Sequence, residues 1–294
     1  MPAATCSSRL AASCSTTWPV EDYDLAKTLD CGQAFRWTQT GDSWTGVIRG
    51  RWVRLSCTGG RLRAETAVPQ TGWQWLADYL QVQVQLAPIL ATFPNDEPMR
   101  AAVATCRGLR LLRQEPWECL ASFLLSSTKQ IVQIRETIVL LCARHGDPVT
   151  VPAGQPPAYS FPSADQISRL SEADLRRCKM GFRAPHLLAA ACAVLEGRLD
   201  WERLRAKSHA EARACLMQLR GVGPKIADCV LLFACGFPEA FPVDVWVARA
   251  LRELYFPRRR VSPQRLRDFA APHFGLHAGY AQQYLFHYMR KARG

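Results

Sequence analysis

The sequence predicts an α+β fold, in which a small antiparallel β-sheet unit packs on a larger, all-helical body. Between residue 18 and about residue 84, alternating or aromatic runs are separated by glycine-containing turns, a pattern typical of short antiparallel strands. From about residue 86 onward, apolar residues recur at intervals of three and four, which indicates amphipathic helices. We therefore expect a β domain over residues 18–90 and a helical domain over residues 91–294.

The β unit follows a segment that has no core pattern. Residues 1–17, MPAATCSSRLAASCSTT, are rich in Ser, Thr and Ala and contain no acidic residue, so we expect a flexible tail. The strand candidates SWTGVIRG and RWVRLSC lie between turn signals at Gly41, Gly50 and Gly59-Gly60. The run WQWLADYL, Trp73–Leu80, is predicted to be a helix that closes this unit.

The helical body contains several helix candidates and two loops. Pro116 stands just inside one helix start, and Gly146 and Gly197 follow two helix ends, in agreement with the apolar periodicity. A Pro-rich stretch, residues 151–162, and an Arg-rich stretch, residues 256–263, are predicted to be loops. The helix candidates are LAPILATF, EPWECLASFLLSS, IVQIRETIVLLCARHG, EADLRRCKMGF, APHLLAAACAVLEG, HAEARACLMQLRG and, at the end of the chain, AGYAQQYLFHYMRK.

The charge balance points to a polyanionic partner. The chain has 37 Lys and Arg residues against 25 Asp and Glu residues, a formal net charge of +12. A basic excess of this size favours nucleic acid through counterion release and electrostatic steering, although a basic protein without such a partner would show the same balance. The sequence has no apolar run that approaches a membrane span, so we expect no membrane partner.

The twelve cysteines predict neither a metal site nor a disulfide framework. The sequence contains no Cys-x-x-Cys pair, and no histidine lies at zinc-ligand spacing from a cysteine pair. No secretory leader is visible, so we expect reduced and mostly buried thiols. The sequence therefore predicts no metal and no cofactor.

The most informative segment is LRGVGPKIADCVLLFACGFPEAFPVDV, residues 219–245. It contains a hairpin, Gly221-Val222-Gly223, between two helical patterns, which we place at about residues 215–236. Glycines permit positive φ and leave room for a phosphate beside the backbone, while a helix start offers N–H groups and a positive dipole. The hairpin therefore predicts a DNA phosphate site, with an ordinary glycine-capped turn between helices as the alternative.

A lysine and a carboxylate stand on either side of this apolar helix. Lys225 lies in the first helical turn, where a cation opposes the helix dipole, so a role as nucleophile is more plausible than a surface role. Cys229 follows four residues later on the same face. Asp244, in the loop of residues 237–245, can return to this cleft; alternatively it is only the N-cap of the next helix, and the two roles are compatible.

These residues resemble the helix-hairpin-helix and Gly/Pro-rich loop with aspartate that define one superfamily of DNA glycosylases. Four further motifs occur in the order found in the 8-oxoguanine DNA glycosylases of that superfamily, and the resemblance extends from about residue 18 to the C-terminus. The four motifs are LDCGQAFRW (residues 29–37), GLRLLRQEPWECLASFLLSS (108–127), LRRCKMGFRA (175–184) and AGYAQQYLF (278–286).

The resemblance implies a bifunctional DNA glycosylase and AP lyase that removes 8-oxoguanine from duplex DNA in base excision repair. Lys225 matches the lysine whose amine attacks C1′ of an extruded nucleotide and forms a Schiff base that leads to β-elimination. Asp244 matches the aspartate that orients the attack and stabilises positive charge developing on the sugar.

Four residues match the base pocket of that family. Gly32 matches the glycine whose carbonyl accepts a hydrogen bond from N7–H, a group that 8-oxoguanine has and guanine lacks. Phe286 and Cys229 match the pair that sandwiches the base, and Gln282 matches the amide that reads its pairing edge. Gln282 and Phe286 also share a helix face, although without the resemblance Phe286 would be interpreted as a core aromatic residue.

The residues that face the opposite strand depart from the family pattern. Arg183 matches an arginine that reads the orphaned cytosine, and Phe182 matches the aromatic wedge beside it. Eukaryotic members have a run of asparagines where this chain has Thr128-Lys129-Gln130, and an arginine where it has Gln133, which lacks the charge and the bidentate fork. We therefore expect a weaker preference for cytosine. Trp246 stands where those members have a phosphate-contacting histidine, and its indole can donate only one hydrogen bond. Both departures indicate a bacterial member.

Two other functions stay open from the sequence alone. One is a glycosylase of the same superfamily for other damaged purines, and the other is a non-catalytic helix-hairpin-helix DNA-binding protein. Lys225 disfavours both, because the alkylated-purine enzymes typically lack this lysine and a binding module does not need it. We expect the partner to be double-stranded DNA containing 8-oxoguanine and the protein to act as a monomer. The expected location is the cytoplasm of a bacterium, with the nucleoid, or the nucleus of a eukaryote.

Overall fold

The computed structural model describes residues 12–293 and confirms the predicted α+β fold class. Its strands are β1 (Ser13–Pro19), β2 (Thr38–Thr40), β3 (Ser43–Ile48), β4 (Arg51–Thr58), β5 (Arg61–Gln70), β6 (Pro148–Val149) and β7 (Ala158–Tyr159). The first five form one antiparallel sheet in the spatial order β1-β5-β4-β3-β2. The last two pair with each other as a short ribbon within the helical part of the chain.

Tight turns at the predicted glycines connect the central strands. Arg49 and Gly50 join β3 to β4 with φ values of 49° and 71°, and Gly59 and Gly60 join β4 to β5 with φ values of 56° and 70°. Two consecutive residues with positive φ give the kind of turn whose twist matches that of antiparallel strands. The glycines of this region therefore set the register of the sheet.

Strand β1 corrects the expected tail. Residues 13–17, which the sequence assigned to the flexible segment, form most of β1 and pair antiparallel with β5. The strand covers an edge of β5 that would otherwise be open, and most of its side chains are exposed, so it leaves no apolar pattern in the sequence. Residues 1–11 of the expected tail lie outside the described residues.

Helices make up most of the rest of the chain. Two of them, α1 (Leu25–Asp30) and α2 (Gln74–Leu80), belong to the N-terminal part, and α2 is the helix predicted over Trp73–Leu80. The others are α3 (Leu86–Leu90), α4 (Glu97–Cys106), α5 (Pro116–Leu125), α6 (Ile131–His145), α7 (Ala164–Ser168), α8 (Glu172–Arg177), α9 (Ala184–Leu195), α10 (Trp201–Arg205), α11 (His209–Met217), α12 (Pro224–Val230), α13 (Val245–Tyr255), α14 (Pro263–Phe274) and α15 (Ala278–Arg293).

Three shorter helical segments complete the description. Single 3-10 turns occur at Gly181–Arg183 and Gly275–His277. A π-helical segment, Leu231–Cys235, continues α12 and ends at Gly236. The π-helical turn widens the buried helix between the two predicted catalytic residues, Lys225 and Asp244, and such segments often occur near functional sites.

The buried residues form two apolar cores, and one segment of the chain runs between them. The smaller core lies under the sheet, and the larger one lies among the helices. Leu29 and Trp37 belong to the smaller core, whereas Cys31 and Phe35 belong to the larger one. The segment LDCGQAFRW is therefore anchored in both cores, which fixes Gly32 at their boundary.

Candidate active site

A cavity of about 710 Å³ opens beside Gly32, and its buried apolar walls belong to the larger core. It contains every residue that the sequence assigned to catalysis or to the base pocket. These are Gly32, Lys225, Cys229, Asp244, Gln282 and Phe286. Four different parts of the chain thus converge on one concave site, as expected for a pocket that receives a single nucleotide.

The hairpin before α12 has the predicted turn, with one difference at its second glycine. Gly221 has a φ of +85°, and a Cβ atom on it would lie 2.5 Å from His186 Nδ1, so both the conformation and the packing require glycine. Gly223 is the extended N-cap of α12 with a φ of −95°, so it does not use the positive φ that a glycine permits. A Cβ atom on Gly223 would meet nothing within 4 Å, so the space beside it is open.

Val222 contributes mainly to the helical core. Its side chain is buried, and its backbone N–H donates to the carbonyl of Leu219 at 3.1 Å. The N–H of Val222 is therefore already used within the turn. The open side of the hairpin lies at Gly223 and the first turn of α12, where helix geometry leaves N–H groups without an intrahelical acceptor.

Lys225 lies in the cavity with its ammonium group held at two points. Its Nζ donates a hydrogen bond to Ser126 Oγ at 2.9 Å and lies 5.1 Å from the centre of the Phe123 ring. The Phe123 ring stacks on Phe233 of the π-helical segment, with 5.6 Å between ring centres. A hydroxyl and an aromatic face therefore direct the amine of Lys225 into the cavity.

Asp244 is both the N-cap of α13 and part of the cavity wall. Its carboxylate accepts a hydrogen bond from the N–H of Val247 at 2.8 Å. Burial raises the pKa of this carboxyl above its ordinary value, and the hydrogen bond from Val247 and the charge of Lys225 oppose that rise only in part. Asp244 therefore caps α13 and lines the cavity at the same time.

A network of buried glutamines holds the loop that carries Gly32. The side chain of Gln33 donates to the carbonyls of Thr28 and Arg110 and accepts from the N–H of Leu112, each at 2.8 Å. On the other side, Gln283 donates to the carbonyl of Cys31 at 2.8 Å. The backbone on both sides of Gly32 is thereby fixed.

Gly32 packs directly against the aromatic wall of the cavity. Its φ is +77°, and a Cβ atom on it would lie 3.1 Å from Ile131 Cδ1 and 3.2 Å from Phe286 Cε1. A side chain at this position would be strained and would also displace the Phe286 ring. The glycine therefore keeps the backbone close to whatever the cavity holds.

The remaining pocket residues combine apolar surface with one polar group. Phe286 and Cys229 are both buried, and burial raises the pKa of the Cys229 thiol to about 12, so the thiol is neutral and acts as apolar surface. Gln282 is only 3% exposed, and its Oε1 has no hydrogen-bond partner within the described residues. A buried amide without a partner is costly, so a ligand in the cavity gains by bonding to it.

Three of the four residues assigned to the opposite strand, Phe182, Arg183 and Thr128, contact one another. Phe182 is 55% exposed, whereas the neighbouring Arg183 is buried and packs its guanidinium 4.2 Å from the centre of the Phe182 ring. Arg183 donates to the carbonyl of Ser127 and to Thr128 Oγ1, the latter at 2.6 Å. The structure thus places Phe182, Arg183 and Thr128 in one contact group, with Thr128 lining the cavity.

Gln133 and Trp246 have surroundings that the sequence did not reveal. Gln133 Oε1 accepts a hydrogen bond from the N–H of Gln130 at 3.0 Å, which forms the capping box at the start of α6. Trp246 lines the cavity and belongs to the half-buried residues packed against the larger core. Gln133 therefore stabilises a helix start, and Trp246 forms part of the pocket wall.

Three residues of the site were missed by sequence reasoning. Ser126 meets Lys225, Gln283 fixes the backbone beside Gly32, and Gly279 allows α15 to approach the loop before Asp244. A Cβ atom on Gly279 would lie 2.8 Å from the carbonyl oxygen of Ala240 and 2.9 Å from that of Pro238. All three lie inside motifs that the sequence analysis singled out. A small or polar residue without an assigned role in such a motif is therefore the sequence signal that could have identified them.

The described residues also bear on metals, thiols and membranes. Within residues 12–293, no group of three or more His, Cys, Asp and Glu side chains is placed to hold a metal ion. The cysteines of this range are free thiols. No helix in the same range is both long enough and apolar enough to cross a lipid bilayer.

Comparison with known proteins identifies relatives of this chain. The family described as 8-oxoguanine DNA glycosylase, N-terminal domain, matches residues 16–120. The chain is 29% identical to a probable N-glycosylase/DNA lyase of Methanothermobacter thermautotrophicus, over 93% of this chain and 96% of that protein. It is 31% identical to an N-glycosylase/DNA lyase of Arabidopsis thaliana, over 90% of this chain and 77% of that protein.

Solved structures give the same result for the whole fold. An 8-oxoguanine glycosylase/lyase of Clostridium acetobutylicum, in complex with double-stranded DNA containing cytosine opposite 8-oxoguanine, is 30% identical to this chain. The two structures superpose with a TM-score of 0.88 and cover 94% of each chain. The similarity therefore includes both the sheet and the helical body.

Proposed function

The chain belongs to the 8-oxoguanine DNA glycosylase family, and from that membership we propose that Lys225 and Asp244 carry out its chemistry. The protein is a bifunctional DNA glycosylase and AP lyase that excises 8-oxoguanine in base excision repair. The observation that carries the proposal is the convergence of Lys225, Asp244 and the four base-pocket residues on one cavity.

The reaction proposed for Lys225 has two stages. In the first, the lone pair of the amine attacks C1′ of the extruded nucleotide, the bond from C1′ to the base nitrogen breaks, and the departing base takes up the proton that the amine loses. The C1′–O4′ bond then opens, O4′ takes a proton, and a Schiff base forms between Lys225 and C1′. In the second stage a proton leaves C2′ and the C3′–O3′ bond breaks, which cuts the DNA strand on the 3′ side of the damaged nucleotide.

Asp244 supports both stages from its fixed position at the start of α13. Because its carboxylate is held by the N–H of Val247, it can face the sugar without reorganisation as positive charge develops there. The Phe123 ring and Ser126 hold the amine of Lys225 on the same side of the cavity. The attack therefore begins from a positioned pair of groups.

We propose that the base is recognised by one backbone carbonyl and one amide. The carbonyl of Gly32 accepts the N7–H of 8-oxoguanine, whereas guanine presents a lone pair at that position. Gln282, whose Oε1 lacks a partner, bonds to the pairing edge of the base. Phe286 and the neutral thiol of Cys229 cover its two faces.

We propose that the opposite strand and the phosphates are contacted by separate residues. Phe182 is the exposed wedge, and the bonded pair of Arg183 and Thr128 beside it meets the opposite base. Gln133, at the start of α6, is a weaker reader than arginine. Gly221 and Gly223, with α12 behind them, grip a phosphate, and Trp246 offers its single N–H. All these groups come from one chain, which supports action as a monomer. Because the substrate is chromosomal DNA, the proposed location is the cytoplasm of a bacterium or the nucleus of a eukaryote.

Borohydride trapping tests the proposal directly. Borohydride reduces a Schiff base to a stable amine, so the protein should become linked to a duplex that carries 8-oxoguanine and not to the same duplex with guanine. Lys225→Gln should bind the lesion duplex with nearly unchanged affinity and form no adduct, and its binding should weaken steeply with salt, as for any phosphate-gripping protein. Binding without any adduct in the unaltered protein would favour a monofunctional damaged-purine glycosylase or a non-catalytic DNA-binding protein.

A further inference from the structure

The turn between α5 and α6, residues 126–130, is tied to the loop of residues 178–183 by a reciprocal pair of cations. Arg183 of the loop donates to the carbonyl of Ser127 in the turn. In the other direction, Lys129 of the turn donates to the carbonyl of Lys179 in the loop at 2.8 Å. Each segment therefore supplies a charged donor to the backbone of the other, and such bonds are among the stronger ones in proteins.

Lys129 has a further contact that anchors this pair of segments to a helix. Its Nζ donates to Thr137 Oγ1 at 2.6 Å, and Thr137 is fully buried within α6. Burial and the nearby charges of Arg183 and Lys179 lower the pKa of Lys129. One lysine thus connects the turn, α6 and the loop that carries the wedge Phe182.

The turn has a backbone conformation that its own residues do not favour. Thr128 has a φ of +56°, in the left-handed region, which is unfavourable for a β-branched residue. The surrounding contacts must therefore impose this shape. A backbone hydrogen bond from Lys129 to Ser126 closes the turn, and Arg183 and Lys129 fix it from outside through Ser127, Thr128 and Lys179.

The first residue of the same turn holds the amine of Lys225. Ser126 donates its hydroxyl hydrogen to the carbonyl of Phe123 at 2.6 Å, so its oxygen is oriented to accept the hydrogen bond from Lys225 Nζ at 2.9 Å. Within five residues, the turn contacts both the amine and the loop that meets the opposite strand.

We propose that the turn of residues 126–130 couples the loop of residues 178–183, which carries the wedge Phe182, to the amine of Lys225. Ser126 and Lys129 are the positioning residues in this coupling. A change in the loop on contact with the opposite strand reaches Ser127 and Lys129 through the reciprocal bonds and reaches Lys225 through Ser126. The proposal rests on the proposed function of Lys225. It predicts that Lys129, which does not contact Lys225, affects the chemical step and not the affinity for DNA.

The test is a double-mutant cycle on the rate of base excision in a single turnover with saturating enzyme, where differences in binding do not contribute. Ser126→Ala and Lys129→Met should each lower this rate by about tenfold on duplexes with cytosine opposite the lesion, with the dissociation constant for the uncleaved duplex nearly unchanged. The double variant should be no slower than the slower single variant, because both changes break one chain of contacts. Ser126→Ala should also change the pH profile of the excision rate. Lys129→Arg, which keeps a cation at position 129, should retain most of the rate that Lys129→Met loses.

Lys179→Gln is the matched control, since it removes a lysine charge from the same place but keeps the carbonyl that accepts from Lys129. Its rate should stay within about twofold of the unaltered protein. Effects of Ser126→Ala and Lys129→Met that multiply in the double variant would overturn the coupling, as would a Lys129→Met rate equal to that of the control. Failure of the unaltered protein to form an adduct would instead count against the function proposed for Lys225.

Discussion

Asp244 accepts a hydrogen bond from the N–H of Val247 at 2.8 Å, and this one contact makes the residue a helix cap as well as a cavity wall. An asparagine keeps an oxygen in the same place and caps helices about as well as aspartate. The charge of Asp244 can therefore be removed without removing the cap. This separation allows its chemical role to be measured independently of its structural one.

Asp244→Asn should lower the rate of base excision by about a hundredfold while the free energy of unfolding changes by less than about 1 kcal/mol. Burial raises the pKa of Asp244, so its carboxylate is lost, as pH falls, at a higher pH than that of an exposed aspartate. The single-turnover rate of the unaltered protein should decline on the acid side accordingly, and the variant should lack that decline. An unchanged acid limb in Asp244→Asn would show that another group titrates there.

Gly32→Ala should reduce discrimination between 8-oxoguanine and guanine. The alanine would be strained at a φ of +77°, and its Cβ would press on Ile131 and Phe286, which moves the backbone carbonyl and the aromatic wall together. We expect the ratio of kcat/KM for the lesion over guanine to fall by at least about tenfold. The measurement is the excision rate on paired lesion and guanine duplexes.

Gly50→Ala is the control for backbone strain in that experiment. Gly50 has a similar φ of +71°, but a Cβ atom there would meet nothing within 4 Å, and the residue lies in the exposed turn between β3 and β4. Gly50→Ala should lose only the stability that backbone strain costs, and it should keep its discrimination between 8-oxoguanine and guanine. Equal losses of discrimination in the two variants would contradict a specific role for Gly32.

Gln133→Arg should sharpen the preference for cytosine opposite the lesion, because an arginine supplies the charge and the bidentate fork that glutamine lacks. The same change removes the hydrogen bond from the N–H of Gln130 to Gln133 Oε1, which caps α6. Gln133→Ala removes that cap without adding a charge and is therefore the comparison. Trapping yields on duplexes with each of the four opposite bases give the result, and equal profiles for the two variants would show that position 133 does not read the partner base.

The fold class was predictable because it depends on local pattern, and six of the residues that line the cavity were predictable from motifs. Lys225 and Asp244 are marked by a glycine hairpin and a proline break, whereas Gly32, Gln282 and Phe286 were assigned through the resemblance of their motifs to a known family. Contacts between distant parts of the chain left no such mark. The bond from Lys225 to Ser126 joins residues 99 positions apart, and the bond from Gln283 to Cys31 joins residues 252 positions apart.

Strand β1 and the cap at Gln133 show two other reasons for the differences between sequence and structure. The Ser- and Thr-rich strand pairs through its backbone at the edge of β5, so its side chains carry no apolar alternation. Gln133 was interpreted through the residue that it replaces, and that comparison could not reveal a new bond to its own helix. Backbone pairing and local capping both depend on main-chain groups, which the sequence does not display.

Gly279→Ala should destabilise the protein and slow the reaction together, because the loop that carries Asp244 rests against α15 at this residue. The N–H of Gly279 donates to the carbonyl of Pro238 at 2.8 Å, and a Cβ atom would lie 2.8 Å from the carbonyl oxygen of Ala240. Backbone atoms cannot move aside as the end of a side chain can, so the loop and α15 must separate. We expect a loss of about 1–3 kcal/mol in the free energy of unfolding, measured with denaturant, and a lower excision rate.

Gly72→Ala, where a Cβ atom would meet nothing within 4 Å, should show neither effect. A stable Gly279→Ala variant with full activity would mean that α15 and the Asp244 loop are not in contact as described.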